Sequence, residues 1–270
     1  MAANQTFQLE HTTGFLMGLM NLLKKENGEW WRTNRWWIQA LIWSLIIVGL
    51  TASTLIGLPC FAEQNGEYLD INELILNSVQ TLFGIATLGT TLGIIILTQG
   101  EIVAEKQSGT AGWILSKPAS RTAFYLSKLL SNGFAMVILM IGLPMALAYG
   151  LFFVQGYSVN IPNYLIGVGI MVLHNFFYLT LSLMIGIFSD KRGLVLAGTL
   201  GSLLGGQLLS GVIKFLVYIT PFGLTNFLPT IVIDGPAAIP PEMWIPVAVT
   251  FVWSMLFFGL SIWKIQRLEF

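Results

Sequence analysis

Six stretches of about twenty mainly apolar residues, at approximately 36–58, 74–98, 129–154, 164–188, 194–219 and 244–263, constrain this chain more than anything else in it. A hydrocarbon core about 30 Å thick is crossed by about 20 residues of α-helix. Inside that core no water is available to the peptide groups, so a spanning segment must satisfy its own backbone hydrogen bonds. The expected fold is therefore all-α: a polytopic membrane protein with six transmembrane helices in residues 36–270, preceded by an amphipathic segment at 1–35. Composition agrees, with 55% hydrophobic and only 10% charged residues, against roughly 25% charged in soluble domains. Pro144 and Pro246 fall inside runs, but neighbouring helices can satisfy a carbonyl freed by proline, so neither run is split.

The placement of charge predicts orientation. With the N-terminus on the cytoplasmic side, Lys24, Lys25, Arg32, Arg35, Lys106, Lys117, Arg121, Lys128, Lys191, Arg192, Lys264 and Arg267 all fall inside, twelve of the thirteen basic residues. The opposite segments carry acids, Glu63, Glu67, Asp70 and Glu73 in one and Asp234 and Glu242 in another. Six spans then leave both termini in the cytoplasm of a cell whose plasma (inner) membrane holds the protein. The first 35 residues show no signal-peptide pattern, so the first span is expected to act as the insertion signal. Lys214, the thirteenth basic residue, falls near the outer end of the fifth run. Snorkelling to the headgroups and contact with a substrate both remain open for it.

Before the first span, Phe15, Leu16, Leu19, Met20, Leu22 and Leu23 recur at helical spacing and are followed by basic residues and four tryptophans. That pattern suits a helix lying in the membrane interface. In the fifth run small residues form two stripes at spacing four, Ala197, Gly201, Gly205 and Gly198, Ser202, Gly206, Ser210. Small residues so spaced let helices approach closely, either within the bundle or between subunits. Gly89 and Gly93 repeat the theme in the second run. Between the last two spans the chain is broken by proline and glycine, yet 222–228 and 231–233 are apolar. Short interfacial or re-entrant helices are expected there.

Several chemistries lack the residues they need. Formal net charge is zero, and nothing points to nucleic acid. There is no phosphate-binding GxxxxGK[ST] loop. His11 and His174 are the only histidines and Cys60 the only cysteine, so no metal site and no disulfide is expected; Cys60 reads as a small buried hydrophobe. Ser202 and His174 could serve an intramembrane hydrolase, but the serine precedes the histidine in the rhomboid proteases and follows it here. His174 reads more simply as a helix–helix hydrogen-bond donor beside Asn175.

The first inside loop, QGEIVAEKQSGTAGWILSKPASRTAFYLSK at 99–128, is the most polar long segment between spans. Glu101 and Glu105 are one turn apart and share a helix face. Gly109 can turn the chain, Thr110 starts a short helix with an apolar Trp113, Ile114, Leu115 edge, and Pro118 ends it. Ser120 is placed to cap the helix that rises through Arg121 and Lys128 into the third span.

The ordered set Glu101, Glu105, Gly109-Thr110, Leu115-Ser116, Pro118, Ser120-Arg121 and Lys128 resembles the signature that follows the second helix of ABC-2-type permeases, the membrane subunits of ATP-binding-cassette transporters. Trp113-Ile114 stands where that family more often has smaller or leucine-rich residues, and Ala119 fills its variable position. The resemblance implies a transport subunit rather than an enzyme. Two permease chains, identical or merely similar, would assemble with two copies of a cytoplasmic ATPase that binds the ATP and magnesium, so that this chain needs no cofactor of its own. It also implies that the loop is a coupling helix, with Trp113, Ile114 and Leu115 as an apolar plug and Glu101, Glu105 and Arg121 in charged contacts that hold the loop or meet the partner. Spans rich in Phe, Leu, Met, Gly and Thr favour export of a hydrophobic or amphipathic molecule, with Lys214 and His174 as candidate residues on its path. An ATPase-independent scaffold or lipid-handling protein is the alternative.

Overall fold

The computed structural model describes residues 14–66 and 68–268, so the expectations for His11 and Glu67 lie outside the described residues. The described residues are all-helical, and the protein is a multi-pass membrane protein with six helices long and apolar enough to cross a bilayer. Helix α1 (Leu19–Trp31) precedes the first span. The spans themselves are α2 (Arg35–Ala52) continued by α3 (Leu58–Asn65), α4 (Ile71–Thr98), α7 (Arg121–Ala135) continued by α8 (Leu143–Val154), α9 (Ile161–Phe188), α10 (Arg192–Val212) and α13 (Ile245–Ile265). The short helices α5 (Val103–Gln107) and α6 (Thr110–Leu115) form the loop after α4, and α11 (Leu216–Ile219) and α12 (Leu228–Asp234) lie between α10 and α13. All the basic residues except Lys214 gather at one end of the bundle, the basic end.

Two spans contain an internal proline and respond alike. Ser53–Gly57 and Met136–Gly142 are π-helical turns that precede Pro59 and Pro144. A proline removes one backbone donor and crowds the carbonyl four residues earlier, and a wider turn relieves that crowding without ending the helix. Pro246 behaves differently from expectation: it lies in the first turn of α13, where its N–H would have had no partner in any case.

Helix α9 is the centre of the bundle, packed against α4, α10, α12 and α13. Polar side chains stitch it to α4: Thr90 and Thr91 each donate an Oγ1–H to Asn175 Oδ1 at 3.1 Å, and Thr98 Oγ1 pairs with Ser182 Oγ at 2.8 Å. With apolar lipid all round, such hydrogen bonds and close packing replace the hydrophobic effect as the cohesive force between spans. By contrast α2, α10 and α13 expose most of their surface, as lipid-facing helices must.

The structure corrects three details. The fifth span ends at Val212, so Lys214 lies in an exposed turn beyond it rather than inside a span. Cys60 is exposed on α3 rather than packed. The two small-residue stripes of α10 part company: Gly206 is closed over by the Phe222 ring and Gly198 lies against Ile185, whereas a Cβ at Gly201 or Gly205 would meet nothing. Ala197 is likewise exposed and Ser202 partly so. Of the apolar pieces between the last spans, 231–233 folds within α12, with Leu228, Ile231 and Val232 buried as that helix packs against α4 and α9, whereas 222–228 is mostly turn, with Leu224 buried.

Candidate functional site

At the basic end, four segments meet around one buried ammonium group. Lys128, on α7, is about 1% exposed. Its Nζ lies 3.3 Å from Glu26 on α1, 3.3 Å from Glu105 on α5 and 3.6 Å from Glu101 in the turn after α4. A second rank of cations answers the same carboxylates. Lys25 reaches Glu105 at 2.7 Å and Glu26 at 3.1 Å, and Arg35 at the start of α2 lies 3.5 Å from Glu101. Three largely buried carboxylates, Glu26, Glu101 and Glu105, thus face three cations, Lys25, Arg35 and Lys128, and a fourth, the half-exposed Glu29, lies 3.6 Å from Lys25. Desolvation works against the charge on Lys25, but its hydrogen bond to Glu105 and the field of Glu26 outweigh it and raise its pKa above the ordinary lysine value.

Neutral polar contacts fix the register of α1 on α7. Trp30 Nε1 donates to Asn132 Oδ1 at 3.2 Å and Ser131 Oγ to Asn27 Oδ1 at 2.9 Å, while the Arg35 guanidinium stacks 4.0 Å over the Trp30 ring. Leu22, Glu26 and Trp30 are the buried residues of α1, and they recur at spacing four. Glu26 is therefore an acid in the middle of a buried stripe. That spacing is readable in the sequence, but Glu26 belongs to the stripe only when polar as well as apolar residues of this helix are counted.

The loop of α5 and α6 is held from several directions. Lys106 Nζ donates to the carbonyls of Ile187 and Ser189, at 3.1 and 2.9 Å, and pairs with Asp190 at 2.5 Å. The ammonium thereby caps the C-terminus of α9, where a cation is favoured by the helix dipole. Its hydrogen bond and its charge hold the Asp190 carboxyl below the usual carboxylate range. Gln107 adds a bond to the Asp190 carbonyl at 2.7 Å. Beyond α6, Arg121 Nη1 donates to the Gln266 carbonyl at 2.6 Å, closing the end of α13. Ser120 caps α7 through Ala123 N–H at 3.0 Å, and its own hydroxyl donates to the Phe15 carbonyl at 2.7 Å.

Glycine is required at two of these junctions. Gly109 takes φ +71° directly before α6, a conformation costly for residues with a Cβ. Gly18 has φ +78°, and a Cβ there would come within 3.0 Å of Ala119 and of the Pro118 carbonyl. The chain leading into α1 therefore lies flat against the loop.

Helix α6 does not present Trp113, Ile114 and Leu115 as one edge. Ile114 is buried and Leu115 partly so, whereas Trp113 is 62% exposed with Lys117 Nζ 3.5 Å over its ring. A helix advances about 100° per residue, so three consecutive side chains cannot share a face. Ile114 anchors the helix to the protein, and Trp113 is the side chain left outside. Glu101, Glu105 and Arg121 are committed to internal contacts. Thr110 Oγ1 shares a 2.8 Å hydrogen bond with Ser108 at the start of α6, and Pro118 is exposed beyond its end.

The remaining candidates lie elsewhere. His174 is buried on α9 beside Tyr178, and its Nδ1 makes no hydrogen bond among the described residues. It is Asn175, not His174, that links α9 to α4. No hydrogen bond joins Ser202 to His174. No group of three or more His, Cys, Asp or Glu side chains suited to a metal occurs among the described residues. No protein-family model matches the chain, and no curated protein matches it in sequence.

Proposed function

We propose that the chain is the membrane-spanning subunit of an ATP-driven transporter of the ABC-2 type, with its basic end and both termini in the cytoplasm. The observation that carries this reading is the mounting of α6. It is anchored inward by Ile114, flanked by a buried ionic junction that joins α1, α2, α4 and α7, and it keeps one large aromatic, Trp113, outside. An exposed tryptophan on a rigidly held short helix suits insertion into a groove of a partner protein. Glu101, Glu105 and Lys128 act as positioning residues: they join the loop to three spans and α1, so a push on α6 moves these elements together. Such a rigid-body displacement is a common way to switch a bundle between two access states. ATP and magnesium belong to the partner. The open Ala197, Gly201, Gly205 stripe of α10 and the lipid-exposed face of α2 supply room for a second permease chain, and the apolar bundle suits a hydrophobic or amphipathic cargo.

The test is purification of the tagged chain from its own cells in mild detergent, with ATP hydrolysis measured in the eluate. A co-eluting ATPase is expected, lost with Trp113→Glu while the chain stays monodisperse and helical. In a Cys60→Ser background, Trp113→Cys should resist a membrane-impermeant maleimide applied to intact cells. Undiminished ATPase recovery with Trp113→Glu, or labelling at position 113 from outside, would remove the basis of the proposal.

A further inference from the structure

Two hollows meet at α1, one apolar and one cationic. The first, about 590 Å³, lies between α1, α7 and α9 and is walled by Leu129, Leu130, Gly133, Val137, Val172 and Phe176. Asn27 is its one polar lining residue. Leu130 and Phe134, also at this groove, are among the exposed apolar side chains of the span, so the groove opens toward acyl chains rather than water. The second hollow, about 470 Å³, shares Leu23 and Asn27 with the first and carries Lys24, Gly28, Trp31 and Arg32. The two therefore lie side by side on α1, with Leu23 and Asn27 between them.

The cationic hollow has a definite shape. Lys24, Gly28 and Arg32 follow one another at spacing four, so two exposed cations stand about 12 Å apart along one helix face with a notch between them. Their neighbours Lys25 and Arg35 are bound to carboxylates, but Lys24 and Arg32 have no ion pair among the described residues. Two unbalanced charges flank Gly28, over which the Arg32 side chain lies with its Cδ 3.8 Å from where a Cβ would be, and together they form a shallow recess for an anion. The apolar groove beside that recess extends the site to an acyl chain.

We propose that α1, α7 and α9 form a binding site for an anionic phospholipid of the adjoining leaflet, with its phosphate between Lys24 and Arg32 and one acyl chain along Gly133 and Val137. The site is independent of any ATPase partner. A phosphatidylcholine headgroup has no net charge to set against the two cations, whereas phosphatidylglycerol brings one net negative charge between them. Each basic residue near an anionic lipid surface strengthens binding roughly fivefold.

The experiment titrates the full chain in detergent with dioleoyl phosphatidylglycerol or dioleoyl phosphatidylcholine and counts bound lipid by native mass spectrometry. One phosphatidylglycerol is expected to bind in preference to phosphatidylcholine. The Lys24→Gln, Arg32→Gln double variant should bind it about 25-fold more weakly. Lys191→Gln with Lys264→Gln, an equal change of net charge elsewhere, should leave it unchanged. Val137→Trp, or Leu130→Trp if the first does not fold, should block the groove and reduce retention of both lipids. Equal binding of the two lipids, full binding by the double variant, equal loss in the control pair, unchanged retention in a folded groove variant, or displacement by millimolar glycerol phosphate as effective as by the lipid would each overturn the assignment; the last would mark a site for a soluble anion.

Discussion

Replacing Lys128 by methionine keeps the length of the side chain and removes the one ammonium that faces Glu26, Glu101 and Glu105 together. Three largely buried carboxylates then share two cations, Lys25 and Arg35, and the junction carries an uncompensated negative charge in a place water barely reaches. Breaking a buried ion pair from one side costs about 3–5 kcal/mol, because the abandoned charge has lost both its solvent and its partner. Lys25 supplies the comparison: its side chain is 39% exposed, water can replace it, and Lys25→Met should cost only about 1 kcal/mol. The charge count makes a sharper claim. Adding Glu26→Leu to Lys128→Met leaves Glu101 and Glu105 opposite Arg35 and Lys25, two against two, so the double variant should be more stable than Lys128→Met alone. Unfolding of the purified chain by titration with sodium dodecyl sulfate, followed by circular dichroism, measures the wild type, Lys25→Met, Lys128→Met, Glu26→Leu and the double variant under one condition. If Lys128→Met is no worse than Lys25→Met, or if Glu26→Leu adds its full cost on top of Lys128→Met, the junction is not held by charge balance.

Gly93→Ala should destabilise by about 1–3 kcal/mol through overpacking, since a Cβ there meets the Trp43 ring and comes within 2.7 Å of Met140; Gly84→Ala on the same helix, with open space around it, should stabilise by up to about 1 kcal/mol, and the two are compared by melting in detergent. Arg121→Ala should leave the bundle folded but free the Gln266 carbonyl, so amide exchange at the end of α13 should quicken while exchange in α9 stays as it was. The depressed Asp190 pKa makes its link to Lys106 fully present above the ordinary carboxylate pKa and lost as pH falls through the lowered one. Amide exchange at 187–191, corrected for intrinsic pH dependence, should therefore rise in acid, and Asp190→Asn should abolish that rise.

The spans were legible because their cause is one-dimensional: enough apolar residues in a row to cross a bilayer. Their ends were less so. Composition carried the fifth run to residue 219, whereas the chain turns at Ile213–Phe215, a break that apolar composition does not report. The loop was legible where local chemistry decides it, as in the Gly109 turn and the Ser120 cap. Reading Trp113, Ile114 and Leu115 as one edge failed because adjacency in sequence was taken for adjacency on a helix. The ionic junction was half visible, with Glu101, Glu105 and Lys128 picked out and Glu26 missed. Glu101 and Glu105 are one turn apart, but Glu26 comes from a segment some seventy-five residues earlier, and no local rule joins residues so far apart in sequence.

An ionic junction in this position solves a problem that apolar packing could not. Helix α1 buries only Leu22, Glu26 and Trp30, so burying Leu22 alone would leave α1 free to slide or rotate. Directional contacts remove that freedom. Glu26, Asn27 and Trp30 meet Lys128, Ser131 and Asn132, and a slip of one turn, about 5.4 Å, would break all three contacts at once. Because the same Lys128 also holds Glu101 and Glu105, α1 cannot leave its register without releasing the loop that carries α6. The cost of burying charge is thus offset by coupling two elements that hydrophobic contact would leave independent, and that coupling is what a helix pushed from outside the membrane would need.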